Sequence, residues 1–244
     1  DHRDLHSFPT RRSSDLLAVT MRDDALKAEL KLYFTQFGAA VTRRAELVNL
    51  GSRPLYVRKL MSFSTDLAGE YDMHSFSGGW IAEARRTVCH VGMARTVNES
   101  VTGFSSNRAN PGFMLAEKDA GEDNGRVYGF NLLYSGSHYA SAQRSLQGLT
   151  RVMQGISPVG FRRKLMPGES FETPEAVMAF SEAGFNGLSH IMHDFVNAHI
   201  VPRAWRYRER PVLYNDWEGC MFSFDESRLL DLAGRAKKLG CELF

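Results

Sequence analysis

The chain has 244 residues, which is enough for one large domain or a domain and a half. Its formal net charge of +2 is too balanced to suggest a nucleic-acid partner, and no apolar run reaches the length of a membrane span. Three widely spaced cysteines, Cys89, Cys220 and Cys241, match neither a metal site nor a disulfide framework. We therefore expect reduced thiols, a cytoplasmic location, no membrane association and no cofactor.

The first sixteen residues differ in character from the rest of the chain. Residues 6–16 resemble the translation of a common sequencing adapter, and they lack the apolar core of a signal peptide. We therefore exclude residues 1–16 from the fold and expect them to be an artefactual or disordered tail. If the natural gene is interrupted there, the domain that follows has lost its first strands.

From residue 26 onward the sequence predicts a mainly β protein. Leu30, Leu32 and Phe34 alternate with more polar neighbours, which is the period-two pattern of a half-buried strand. Many short strands separated by turn clusters are typical of a sandwich or barrel. We predict strands at residues 26–34, 41–50, 55–64, 94–100, 113–117, 126–134, 150–156, 161–165 and 175–180.

Two helices are predicted near the C-terminus. The first, at residues 188–200, carries one apolar stripe, and we interpret His199 as a packing histidine on that stripe. The second begins after Asp225, a good N-cap residue, and ends at Gly240 after a basic turn. With a β-type run at residues 211–214 before it and a new strand from Cys241 after it, the second helix completes a βαβ unit.

Several segments resemble glycoside hydrolase family 36, the microbial α-galactosidases. The segment RERPVLYNDWE (208–218) is similar to the signature that opens the family's catalytic barrel. Four further segments fit the family in the same order, and the resemblance covers roughly residues 17–244. They are GGW (78–80), NGRVYGFNLLYSG (124–136), LMPGESFETPE (165–175) and FSEAGFNGLS (180–189).

The resemblance implies a large antiparallel β-sandwich (a supersandwich) followed by a linker helix and the first βαβ of a truncated (β/α)8 barrel. The implied domains are a sandwich at residues 17–184, a helical linker at residues 185–207 and an incomplete barrel at residues 208–244. In such barrels, residues at the C-terminal ends of the strands face the active site.

Trp217 and Asp216 are candidate substrate-binding residues at the end of the first barrel strand. An indole face stacks well on the apolar face of a sugar, and in the family the matching tryptophan lines the galactose pocket. The alternative is a core tryptophan that plugs the barrel. Asp216 positions Trp217 or a sugar hydroxyl, or else it is a solvated or capping residue. We reject Asp216 and Glu218 as a catalytic pair, because both would crowd at the end of one strand.

Trp80 is the third candidate, in a turn-rich loop predicted at residues 68–81. The resemblance implies a place near the active-site rim, on the aglycone side. The alternative is a buried anchor for the loop, because large aromatic side chains dominate core packing.

The resemblance implies an enzyme that hydrolyses terminal α-linked galactose from oligosaccharides such as melibiose or raffinose. The family uses a retaining mechanism with two aspartates and no metal. Neither aspartate has a matching position here, so the chain contains no catalytic residue and we expect it to be inactive alone. Relatives are often tetramers whose sandwich domains complete neighbouring active sites. A transglycosylating relative and a non-catalytic carbohydrate-binding sandwich module remain alternatives.

Overall fold

The computed structural model describes residues 16–106 and 108–244. The chain divides between His199 and Ile200 into two compact units. The tail at residues 1–16 lies outside the described residues, except for Leu16, which begins the first strand. No helix within the described ranges is long and apolar enough to cross a bilayer. The four-part domain scheme stays a prediction.

The N-terminal unit, as far as the structure describes it, contains fifteen strands and one long helix. The strands are β1 (Leu16–Asp23), β2 (Ala28–Phe37), β3 (Ala40–Asn49), β4 (Leu55–Val57), β5 (Met61–Ala68), β6 (Asp72–Ser77), β7 (Arg85–His90), β8 (Thr96–Ser100), β9 (Ala109–Ala116), β10 (Val127–Leu132), β11 (His138–Arg144), β12 (Leu149–Ile156), β13 (Arg163–Leu165), β14 (Ser170–Glu172) and β15 (Ala176–Ser181).

The strands form three antiparallel sheets. The large sheet has the order β1-β2-β3-β15-β10-β9-β6-β7, with β14 paired to β3. The small sheet has the order β5-β12-β11-β8, and β4 pairs with β13 in a separate two-stranded sheet. The mainly β architecture predicted from the alternating pattern and the antiparallel sheets implied by the resemblance are both confirmed.

The main hydrophobic core lies between the large and the small sheet. Phe113 and Phe130 of the large sheet stack with ring centroids 4.9 Å apart, and Phe63 of the small sheet meets Phe130 edge-on at 6.0 Å. Val152 of the small sheet and Leu115 of the large sheet are fully buried in the same cluster. Each such side chain contributes about 1.5–3 kcal/mol through burial. The two sheets therefore form a sandwich.

A helix, α1 (Gly184–Phe195), covers the other face of the large sheet and continues as a π-helical turn (Val196–Ile200). Leu188 and Phe195 are buried against Val127 and Val177 of the central strands. The ring of His199 lies 4.2 Å from that of Phe37, which confirms its place on the apolar stripe. Strands β10 and β15 therefore bury both of their faces, which explains their nearly continuous apolar sequences.

Three sequence predictions differ from the structure. The strand predicted at residues 55–64 is two strands, β4 and β5, which belong to different sheets. The loop predicted at residues 68–81 contains β6, which pairs with both β7 and β9. Strands β1, β7, β11 and β14 were not predicted, because their exposed or small side chains give no clear apolar alternation.

The C-terminal unit contains a 3-10 turn (Arg203–Trp205), a short helix α2 (Trp217–Cys220) and a longer helix α3 (Glu226–Lys238). The predicted N-cap of α3 is confirmed, because the Asp225 carboxylate accepts a hydrogen bond of 2.8 Å from the Arg228 amide. Gly240 follows the helix with a φ of 90°, as expected for a left-handed C-terminal cap.

Candidate active-site region

The two ends of the predicted βαβ unit lie side by side and are joined by a parallel β-bridge between Leu213 and Leu243. The amide of Tyr214 donates to the Leu243 carbonyl at 3.0 Å, and the Glu242 amide donates to the Val212 carbonyl at 2.8 Å. The rings of Tyr214 and Phe244 stack beside this bridge, with centroids 5.4 Å apart. The candidate residues Asp216 and Trp217 therefore lie just beyond the C-terminal end of the first of two parallel segments.

Trp217 does not end the strand as predicted; it is the first residue of α2. The side chain of Asn215 accepts a hydrogen bond of 2.9 Å from the Trp217 amide, which closes a tight turn between the strand and α2. The edge of Phe222 meets the indole at a centroid distance of 5.0 Å and an angle of 88°. The side chain is 48% exposed, so part of the indole is open to solvent in this chain.

Asp216 occupies the N-cap position of α2, but its side chain does not cap the helix. Its backbone carbonyl accepts from the amides of Gly219 and Cys220, at 3.1 and 3.0 Å. The Tyr214 hydroxyl donates to its carboxylate at 3.4 Å. A methyl group on Gly219 would lie 2.9 Å from the Tyr214 oxygen and 3.1 Å from Asp216 Oδ1. The missing side chain of Gly219 therefore leaves room for this contact.

Burial, reinforced by the Asp216 carboxylate, raises the pKa of the Tyr214 phenol. The same two causes, burial first, raise the pKa of the Cys220 thiol. Both groups therefore stay protonated near neutral pH and can donate hydrogen bonds. The Tyr214 hydroxyl and the Cys220 thiol both interact with the Asp216 carboxylate. Asp216 is therefore suited to holding together the turn at residues 214–220.

Trp80 lies in the other unit, at the tip of the β6–β7 hairpin. Gly79 and Ala82 exchange two backbone hydrogen bonds of 3.2 and 3.0 Å across this tip. A methyl group on Gly78 would lie 2.1 Å from the Ala82 carbonyl oxygen, so the turn tolerates only glycine there. Ile81 adopts a φ of 61°, which is unusual for a β-branched residue. The hydrogen bonds and the close approach at Gly78 therefore define the backbone conformation of the tip.

The side chain of Trp80 is 85% exposed. The alternative of a buried loop anchor is therefore wrong for this chain, because the indole has no core to fill. Trp80 and the neighbouring Ile81, which is 76% exposed, form an apolar tip in solvent. The role of Trp80 at an active-site rim stays a prediction.

Sequence reasoning missed the contacts of the two candidate residues: Asn215 and Phe222 contact Trp217, and Tyr214 contacts Asp216. Asn215 could have been recognised, because an asparagine two residues before a helical amide favours such a turn. The described residues contain no group of three or more His, Cys, Asp or Glu side chains that could hold a metal.

Comparison with known proteins agrees with this architecture. Residues 3–166 match the glycosyl hydrolase family 36 N-terminal domain, and residues 170–244 match the melibiase family. The chain belongs to glycosyl hydrolase family 36. The resemblance found in its sequence motifs is thereby confirmed.

Several relatives that match along the chain are α-galactosidases. α-Galactosidase AgaA of Geobacillus stearothermophilus is 36% identical over 239 residues, which are 95% of this chain and 32% of that protein. The probable α-galactosidase G of Aspergillus terreus is 34% identical and covers 97% of this chain and 33% of its own length. The chain thus spans about a third of the length of these relatives.

Crystal structures of family members share the fold. A variant of AgaA in complex with raffinose superposes with a TM-score of 0.92 at 34% identity, over 98% of this chain and 34% of that one. The α-galactosidase of Lactobacillus brevis gives a TM-score of 0.88 at 31% identity, over 97% of this chain and 34% of that one.

Proposed function

We propose that this chain is part of an α-galactosidase that hydrolyses terminal α-linked galactose from oligosaccharides. The observation that carries the proposal is the match of one continuous chain to two domains in the order sandwich, then melibiase. The parallel Leu213–Leu243 bridge supports it, because it is what the start of a (β/α)8 barrel requires.

The proposed substrates are galactose-terminated oligosaccharides of the raffinose and melibiose type. Solved structures of AgaA variants in complex with raffinose and with stachyose support this choice for a chain of the same family. The proposed mechanism is the retaining one, with two aspartates outside these 244 residues. The chain itself then supplies binding groups and no catalytic group.

Within that enzyme, Trp217 would form the wall of the galactose pocket and Asp216 would hold the turn that carries it. The half-exposed indole supports this assignment, because an open ring face is what a sugar needs. Trp80 would contribute to the aglycone side, and its exposed position on a tightly specified hairpin tip supports a contact with something outside its own unit.

We further propose a cytoplasmic location and a homotetrameric assembly for the whole protein. The free thiols Cys89, Cys220 and Cys241 support the location, because reduced cysteines suit that compartment. The exposed apolar tip formed by Trp80 and Ile81 supports an assembly in which sandwich domains reach neighbouring subunits.

The test is hydrolysis by the complete gene product that contains this chain. We expect it to cleave an aryl α-galactoside and raffinose, and we expect the 244-residue polypeptide alone to cleave neither. Trp217→Ala removes an apolar contact of about 2 kcal/mol, and so lowers kcat/KM about thirtyfold. Trp217→Phe keeps a ring and loses less.

The same experiment separates the alternatives. A complete product that binds galactosides without cleaving them would replace the enzyme with a carbohydrate-binding sandwich module. A product that transfers galactose to a second sugar faster than to water would be a transglycosylase. Unchanged kinetics of Trp217→Ala would refute the proposed role of this residue.

A further inference from the structure

The small sheet formed by β4 and β13 carries an exposed surface that the proposed function does not use. Tyr56 pairs with Lys164 across this sheet, so their side chains share its outer face. The opposite face carries Leu55, Val57, Arg163 and Leu165, of which Val57 and Leu165 are buried and Arg163 is exposed. The buried side chains therefore anchor the sheet to the protein, and the outer face is exposed and lies outside the core.

This sheet and its flanking turns concentrate positive charge, and we call them the basic platform. No aspartate or glutamate occurs at residues 47–65 or 124–168, the two segments that contain the strands. The nearest carboxylate along the chain, Glu169, already accepts a hydrogen bond from the Met166 amide. The platform contains six exposed cations: Arg53, Arg58, Lys59, Arg162, Arg163 and Lys164.

None of the six cations forms an ion pair with a described residue, in contrast to cations such as Arg44, Arg126, Arg144 and Arg151, each of which meets a carboxylate. The whole chain has a formal net charge of only +2, and the platform alone contributes six positive charges. The rest of the chain therefore carries a net negative charge. Unneutralised charge of one sign raises the local concentration of oppositely charged ligands.

Two aromatic rings hold members of the platform in place. The Arg162 guanidinium carbon lies 4.5 Å from the centroid of the Tyr56 ring, and the Lys59 ammonium lies 5.3 Å from that of Tyr139. Such contacts order a long side chain and leave its hydrogen-bond donors free. Tyr56 itself is 51% exposed, so the platform offers an apolar ring edge beside its cations.

We propose that the basic platform binds acidic polysaccharide, through the carboxylate or sulfate groups of the polymer. Guanidinium groups pair with both anions through two parallel hydrogen bonds, and the Tyr56 ring edge suits the apolar parts of a sugar. The choice of a saccharide over other polyanions rests on the exposed Tyr56 ring beside the cations and on the proposed function, which is action on galactosides.

The experiment measures binding of the 244-residue chain to polygalacturonate and heparin, with double-stranded DNA and polyglutamate as competing polyanions. It needs no turnover, so its result is independent of α-galactosidase activity. The test variant is Arg162→Glu with Lys164→Glu. The matched control is Arg95→Glu with Lys118→Glu, which makes the same charge change at two exposed cations outside the platform. Circular dichroism checks that both variants keep the β fold.

We expect the test variant to lose at least about tenfold in affinity for polygalacturonate or heparin, while the control keeps its affinity within about twofold. We also expect affinity to fall as salt rises from about 0.01 to 0.15 M, because the contacts are between exposed charges. An equal loss in both variants, or no binding at low salt, overturns the proposal. Tighter binding to DNA or polyglutamate overturns the assignment to a saccharide.

Discussion

The first residue of α1, Gly184, is a position where one added methyl group should destabilise the N-terminal unit strongly. Its φ is 62°, and an added Cβ would lie 2.2 Å from the Gly121 carbonyl oxygen and 2.6 Å from that of Glu122. These two carbonyls accept the hydrogen bonds from Phe185 and Asn186 that satisfy the start of the helix, at 3.1 and 2.8 Å. The clash is with backbone, which cannot rotate away.

The expected cost of Gly184→Ala has three parts. The left-handed conformation costs alanine about 1 kcal/mol, and the steric overlap costs about 1–3 kcal/mol. Displacing the two carbonyls weakens two hydrogen bonds, each worth about 1 kcal/mol. We therefore expect the free energy of unfolding to fall by about 4 kcal/mol, which for a unit of this size lowers Tm by about 10 °C.

The matched control is Gly38→Ala. Gly38 has a similar φ of 58°, but an added Cβ would meet nothing within 4 Å. Its substitution therefore costs only the backbone conformation, about 1 kcal/mol or about 3 °C. Thermal and urea unfolding followed by far-UV circular dichroism measure both variants. Equal losses in the two variants would refute the argument that the close approach of the Gly121 and Glu122 carbonyls makes a side chain at position 184 costly.

Three further predictions concern single side chains. Burial lowers the pKa of His138, whose ring nitrogens have no hydrogen-bond partner. The unfolded state therefore binds more protons below about pH 6.5, and stability falls as the pH decreases. We expect His138→Leu to reduce this dependence of stability on pH, measured as urea midpoints at several pH values. Part of the dependence should remain, because burial also lowers the pKa of His74. Arg43 is buried with Nε and Nη1 unpaired, so Arg43→Met should be neutral or stabilising by about 1 kcal/mol, and a loss above about 2 kcal/mol would contradict this. Trp80→Ala should leave Tm unchanged because the side chain is exposed, yet lower kcat/KM of the complete enzyme more for raffinose than for an aryl galactoside.

The sequence predicts elements well where one physical signal dominates. The alternation of Leu30, Leu32 and Phe34 predicted β2, and the Asp225 cap with Gly240 predicted α3 almost to the residue. The parallel pairing of Leu213 with Leu243 also agrees with the predicted βαβ unit. In each of these cases the pattern is local, so tertiary context is not needed to interpret it.

Prediction failed where neighbours along the chain do not decide the structure. The β6–β7 hairpin was not predicted: residues 68–81, which contain β6, were predicted as a loop because β6 is rich in polar residues, and β7 was missed because it is exposed along its whole length. Its strands form because β6 pairs with the buried strand β9, a contact that no local pattern reveals. Trp217 was wrongly placed at a strand end. Helix α2 starts there because the Trp217 amide donates a hydrogen bond to the Asn215 side chain, and hydrophobic periodicity does not reveal such a bond.

The position of β15 in the large sheet has a consequence for synthesis of the chain. β15 lies between β3 and β10 and pairs with both, although it is made long after β3. A ribosome adds about 5–20 residues per second, so the edge of β3 waits roughly 6–25 s, and the edge of β10 roughly 2–9 s, for β15 to be made. During that interval the nascent chain presents two unpaired apolar edges, which are what chaperones bind and what aggregates grow from. Slowing translation of residues 50–175 should therefore lower the yield of folded protein.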